Sequence, residues 1–198
     1  MRLLNWACAL AIFLGSCLLF LVEPMVAKRL LPLLGGSSAV WITCLVFFQI
    51  ALLLGYLLAH WLVTYLKPRA QAGTYGALLA AGLLLLSLNT HPEPHASTVH
   101  PVISVFWVLT SLIGLPFLLL SAAGPLLQAW YARSFHGATS SGSPQQMVPP
   151  YRLFALSNLG SLLALVLYPW LIEPRFDLHA QTIAWTIGYA VFAVACGV

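Results

Sequence analysis

Long apolar runs separated by short polar punctuation organise this chain. Apolar residues dominate about 3–22, 38–66, 72–88, 102–131, 152–172 and 180–198. Each run approaches or exceeds the roughly 20 residues that cross about 30 Å of hydrocarbon as a helix. The runs are rich in Leu and Ala and lack the alternation of barrel strands, so helices satisfy their backbone groups better than a β-barrel would. The connectors are Glu23 to Ser37, Lys67-Pro68-Arg69, Asn89 to Pro101, Gly137 to Pro150 and Glu173 to His179. Each carries the Gly, Pro and polar residues that punctuate helices. The pattern predicts an all-α polytopic bundle, a single transmembrane domain over 1–198 with six spans. The Gly/Ser/Pro/Gln-rich stretch 137–150 reads as a flexible cytoplasmic loop. The last run reaches Val198 without a polar cap, the pattern expected of part of a longer protein.

Composition strengthens this reading. The chain of 198 residues is 61% hydrophobic and 6% charged, with a mean hydropathy of +0.95. Soluble domains carry about 25% charged residues, so the water-soluble class is excluded. The net charge of +4 comes without a basic run, which argues against nucleic acid as a partner and leaves the lipid bilayer. Arg2, Lys67, Arg69, Arg133 and Arg152 fall on one predicted side. Lys28, Arg29 and Arg175 share the other with every acid, namely Glu23, Glu93, Glu173 and Asp177. The positive-inside bias then predicts a cytoplasmic N-terminus, as in a bacterial inner membrane.

The N-terminal run continues through Leu18 to Val22 beyond the cleavage-like Leu14-Gly15-Ser16-Cys17, so it reads as an uncleaved first span rather than a signal peptide. The four cysteines, Cys8, Cys17, Cys44 and Cys196, lie inside apolar runs and form no CxxC. They read as small packing residues rather than a zinc or disulfide framework.

Polar residues inside the spans are the candidates for chemistry. Trp41, Gln49, Tyr56 and His60 recur within about 100° of one face of the second span. A mid-membrane amide needs a partner, so this stripe is expected to face the bundle interior, as a solute or proton path or as packing glue. A second stripe, Tyr151, Phe154, Asn158, Ser161 and Tyr168, marks the fifth span, and Asn158 and Gln49 could bond each other. The pairs Ser157/Ser161, Gly160/Ala164, Ala11/Gly15 and Gly76/Ala80 suit close helix approach. Gly114, Pro116 and Gly124-Pro125 predict a kinked or interrupted fourth span, a feature of both transporter cavities and ordinary bundles. His91, His95 and His100 share one external loop with Glu93, a weak metal pattern of no specific spacing. A Gly-rich nucleotide loop, GxSxG, HExxH and paired carboxylates are all missing. The chain therefore reads as non-catalytic by itself, with no metal and no cofactor.

Two blocks carry a family likeness. The first runs Glu23-Pro24-(x)3-Lys28-(x)2-Leu31-Pro32-Leu33-Leu34-Gly35-Gly36-Ser37. It continues with Ala39-Val40-Trp41-x-Thr43-Cys44, Phe47-Phe48-Gln49, Gly55-Tyr56 and Ala59-His60. The second runs from Tyr151 through Ser157-Asn158-Leu159-Gly160-Ser161 and Tyr168-Pro169 to Glu173-Pro174. In these blocks, under half of the chain, the sequence resembles the membrane portion of the bacterial fused major-facilitator-like/spermidine synthase family. Such proteins join membrane helices to a cytosolic aminopropyltransferase-like domain that uses decarboxylated S-adenosylmethionine, and no such domain is present in this sequence. The resemblance therefore implies a membrane module that handles a small solute, such as a cationic polyamine, or that anchors a synthase domain or subunit. Glu23 and Glu173 become the candidate cation-facing carboxylates, with Gln49, Tyr56 and Asn158 lining the interior. A purely structural anchor and, less favourably, a metal-dependent membrane enzyme remain the other classes. The blocks also echo each other: Leu21-Val22-Glu23-Pro24 closes the first span and Leu171-Ile172-Glu173-Pro174 the fifth. Either a duplicated element or the ordinary placement of Glu and Pro at helix ends explains this.

Overall fold

A computed structural model describes residues 2–34, 37–88, 101–139 and 150–197. The His91/His95/His100 loop with Glu93, and most of the predicted loop 137–150, lie outside the described residues. The helices are α1 (Arg2–Leu34), α2 (Ser38–Tyr65), α3 (Pro68–Leu88), α4 (Pro101–Leu109), α5 (Leu115–Thr139), α6 (Pro150–Leu167), α7 (Glu173–Arg175) and α8 (Leu178–Gly197). A π-turn at Thr110–Gly114 joins α4 to α5, and another at Tyr168–Ile172 joins α6 to α7. No strand occurs among the described residues. Six helical segments are long and apolar enough to cross a membrane, the all-α architecture of a multi-pass membrane protein.

Local signals set the helix starts. Ser37 caps α2, its side chain accepting the Val40 N–H at 3.4 Å. Pro68 and Pro101 open α3 and α4, where a missing N–H costs nothing because first-turn donors lack helical acceptors. Asp177 opens α8 by accepting the Ala180 N–H at 3.1 Å.

One connector is corrected. Glu23 to Ser37 was expected as an external turn, yet α1 continues through Glu23 and Pro24 to Leu34. The apolar face explains the continuation: Val22, Met25, Val26, Ala27 and Leu30 are all buried, so the helix still gains packing beyond the charge. Glu23 therefore sits within a spanning helix, half-buried. The fourth span is also unbroken. The π-turn before Pro116 widens the helix where proline lacks a donor, and Pro125 lies inside α5.

α1 is the central helix, packing chiefly on α6, α8 and α5, while α2 packs chiefly on α5. Glycines set the tightest approaches. A methyl at Gly160 would lie 2.6 Å from Ser16 Oγ and 2.8 Å from the Phe13 carbonyl oxygen, and Cys17 Sγ donates to the Gly160 carbonyl at 3.2 Å. Gly55 similarly admits Ser121 and the Leu118 carbonyl, so α2 and α5 approach with no Cβ between them. The Gly160/Ala164 pair thus packs as expected. Gly76/Ala80 does not: Gly76 faces open space and Ala80 is exposed.

Indole and phenol donors lock the remaining helices. Trp185 Nε1 donates to the Leu18 carbonyl at 2.9 Å and Tyr75 Oη to the Leu119 carbonyl at 2.7 Å. At the N-terminal end of the bundle, fully buried Gln71 donates to the Leu66 carbonyl at 2.7 Å. Its Oε1 accepts from Trp130 at 2.8 Å and Arg133 at 2.9 Å. This amide joins the α2–α3 corner to α5 with its capacity used, as polar groups away from water require.

Candidate functional site

Because α6 rests on α1 and α2 rests on α5, a groove remains where the two pairs meet. It holds two hollows, one beyond the other along α1 and α6. The upper one, about 350 Å³, is lined by Glu23 from α1, Trp41 and Cys44 from α2, and Tyr168, Pro169 and Glu173 from the α6–α7 segment. The lower one, about 500 Å³, is lined among others by Ser16, Tyr56, Gln128, Phe154, Asn158 and Ser161. Phe20 lines the lower hollow three residues before Glu23, and Ser161 lies one turn before Leu165 in the upper. The two therefore stand about one helical turn, or about 5.4 Å, apart.

The upper hollow owes its acid lining to the second π-turn. In an α-helix, residues five apart are rotated by about 140° from one another. Here the Glu173 N–H bonds the Tyr168 carbonyl five residues back, and the wider turn brings both side chains to one face. Glu173 then accepts from Lys28 Nζ of α1 at 2.8 Å. With side chains 39% and 41% exposed, such a pair is worth about 0–1 kcal/mol. It ties the C-terminal ends of two parallel helices whose Leu-Val/Ile-Glu-Pro echoes now face a common hollow.

Two polar groups on residues lining this hollow have no partner among the described residues. The Glu23 carboxylate has no ion pair or hydrogen bond among the described residues. The Tyr168 hydroxyl, on a side chain 5% exposed, is buried without a partner. Glu23 and Tyr168 both line this hollow, and a carboxylate within a spanning helix is costly unless water or a partner charge meets it.

The candidate residues separate in space. Glu23 and Glu173 come together in the upper hollow, and Tyr56 and Asn158 in the lower. Gln49 joins neither. The expected inward polar stripe of α2 is corrected in part: Trp41, Gln49, Tyr56 and His60 are all exposed, and only Trp41 and Tyr56 line the hollows. The buried face is Thr43, Cys44, Phe47, Ala51, Gly55, Ala59 and Leu62. Packing explains the inversion: Gly55 must meet Ser121 of α5, which turns the polar flank outward toward the groove edge and lipid. Gln49 and Asn158 consequently do not pair. The α6 stripe fares better, with Phe154, Asn158 and Ser161 lining the lower hollow and Tyr168 the upper. Lys28 was missed as a partner of Glu173, although the segregation of charges had put both on one predicted side. The functional weight of Tyr168 was legible only as stripe membership. Among the described residues, no group of three or more His, Cys, Asp or Glu is placed to hold a metal ion.

Comparison of the chain with family models, with curated proteins and with solved structures finds no match in any of the three.

Proposed function

We propose that this chain is the membrane module of a transporter-like protein, related to the spermidine-synthase-like membrane proteins it resembles, and that it takes a small organic cation into the α2/α6 groove. The observation that carries this reading is the pair of unpartnered groups, the Glu23 carboxylate and the Tyr168 hydroxyl, facing one hollow of about 350 Å³. That volume falls within the range of small-molecule sites, about 300–1,000 Å³. Glu23 supplies the counter-charge and the Tyr168 oxygen accepts an ammonium N–H. Trp41 offers a ring face of the kind that attracts cations. The lower hollow continues the path with neutral hydroxyl and amide groups, among them Tyr56 and Asn158. A polyamine, with ammonium groups separated by methylenes, matches this succession of an acid end and a neutral polar stretch. On this reading the protein is non-catalytic, lies in a bacterial inner membrane and has its N-terminus in the cytoplasm.

A second reading, a membrane anchor for a synthase partner, draws support from Glu173. That carboxylate is already neutralised by Lys28, as in a purely structural tie. Uptake of labelled putrescine or spermidine into proteoliposomes separates the two. Protein-dependent uptake that falls at least tenfold in Glu23→Gln supports transport. Absence of flux with folded wild-type protein overturns transport in favour of the anchor.

A further inference from the structure

On the opposite flank of α1 lies a third hollow, of about 250 Å³, between α1, the first π-turn, the end of α3 and the start of α8. α3 and α8 meet tightly at Gly82, where the Tyr189 hydroxyl donates to the Leu79 carbonyl at 3.5 Å. Arg29 and His179 stand at its rim, and no acidic residue lines it. Arg29 is half-buried and has no ion pair or hydrogen bond among the described residues. A guanidinium stays charged at any physiological pH, and no described residue matches that charge.

The other polar groups in the lining have already used their protons. Ser87 donates to Leu84, Thr182 to Leu178 and Thr186 to Thr182, at 2.8, 2.7 and 2.9 Å. Trp185 donates to Leu18. Arg29 and His179 are therefore the donors left to meet a ligand, and both gather at one end. The remaining wall is apolar, with Met25, Leu86, Ile113 and Ile187 among its residues. Ile187 lies eight residues beyond His179 on α8, about 12 Å deeper along the helix. A basic rim above an apolar trough is complementary to a molecule with an anionic head and a hydrocarbon tail. A small free anion would leave the trough empty.

We infer that this hollow is a binding site for an anionic phospholipid of the surrounding leaflet, its phosphate held by Arg29 and His179 and one acyl chain lying along α8. The charge match is the one that draws anionic lipids to basic residues at membrane surfaces. The site is independent of the cation reading, since it shares no lining residue with the groove.

The test uses the full chain purified in detergent. Thermal unfolding is followed with dioctanoyl phosphatidylglycerol, with phosphatidylcholine of the same chain length, and with inorganic phosphate. The expected result is a rise in Tm of several degrees with phosphatidylglycerol, clearly above the other two. Arg29→Gln removes that difference, and His179→Gln reduces it. Native mass spectrometry of the wild type, which needs no variant, should retain phosphatidylglycerol at least tenfold over phosphatidylcholine. Equal effects of the two lipids on the wild type, or a preference that survives in Arg29→Gln, would overturn the inference. A shift reproduced by phosphate alone would also overturn it, because the site would then take a free anion. If Arg29→Gln does not fold, the wild-type lipid preference and the His179→Gln comparison decide.

Discussion

Two hollows flank the C-terminal half of α1, and they differ in sign. On the α2/α6 side Glu23 and Glu173 face the space, and on the α3/α8 side Arg29 and His179 do. Glu23 and Arg29 are only six residues apart, yet the helical rotation of about 100° per residue puts them about 120° apart around the axis. One apolar helix thus presents an acid to one neighbour pair and a base to another. The acid side has an internal counter-charge, because Lys28 reaches Glu173, and it keeps Glu23 in reserve. The basic side has no counter-charge of its own among the described residues. The lesson is that charge within a membrane bundle must be read by face, and that position along the sequence is a poor guide to which charges meet.

Helix spacing should separate the hollows most strongly. Gly160→Ala places a methyl against the Phe13 carbonyl and Ser16, and overpacking of this kind costs about 1–3 kcal/mol. Unfolding in detergent should show this loss together with weakened cation binding, while phosphatidylglycerol retention stays at the wild-type level. Gly82→Ala, which meets the Tyr189 hydroxyl, should do the reverse. If either variant disturbs both hollows equally, the two are not separate sites.

Tyr168→Phe is next in size. It removes a buried hydroxyl that has no partner, so the unliganded protein should gain about 1–2 kcal/mol, the penalty of an unsatisfied polar group. The same change should weaken putrescine binding severalfold, a trade-off visible when unfolding is measured with and without the amine. A variant that is less stable without ligand would mean that the hydroxyl is satisfied, and the hollow would lose its strongest mark.

Smaller still is Lys28→Met. Breaking the half-exposed pair with Glu173 should lower stability by under about 1 kcal/mol and leave two free carboxylates in the upper hollow. Diamine affinity should rise relative to monoamine affinity in equilibrium binding. An unchanged ratio would remove Glu173 from the site and leave it as a tie between helices. Gln49→Leu should change stability by no more than about 0.5 kcal/mol and leave uptake as in the wild type. Reduced uptake would return Gln49 to the path and revive the inward stripe.

Much of the architecture was legible before any coordinates. Six spans, the α2 start at Ser37-Ser38 and the close use of Gly160/Ala164 follow from local composition, capping chemistry and small-residue spacing. The α6 stripe was legible too, because Phe154, Asn158, Ser161 and Tyr168 recur on one helical face and that face does line the groove. Other features were not. A polarity argument turned the α2 stripe inward, whereas the close contact of Gly55 with Ser121 turns it out. A Glu-Pro pair read as a turn proved to be mid-helix, because the apolar face of α1 persists to Leu30. The two Glu-Pro echoes looked like a repeat or a topological coincidence, and only the fold shows that they face one hollow.

By itself the sequence determined that this chain is an all-α bundle with six segments long enough to span a membrane. Hydropathy and backbone satisfaction are properties of each segment alone, independent of its neighbours. The tertiary structure decided which face of each helix is inside, that Lys28 meets Glu173, and that Tyr168 and Glu23 line one hollow without a partner among the described residues. Those outcomes depend on helix spacing and on one π-turn, and both are set by contacts between residues as many as 167 positions apart.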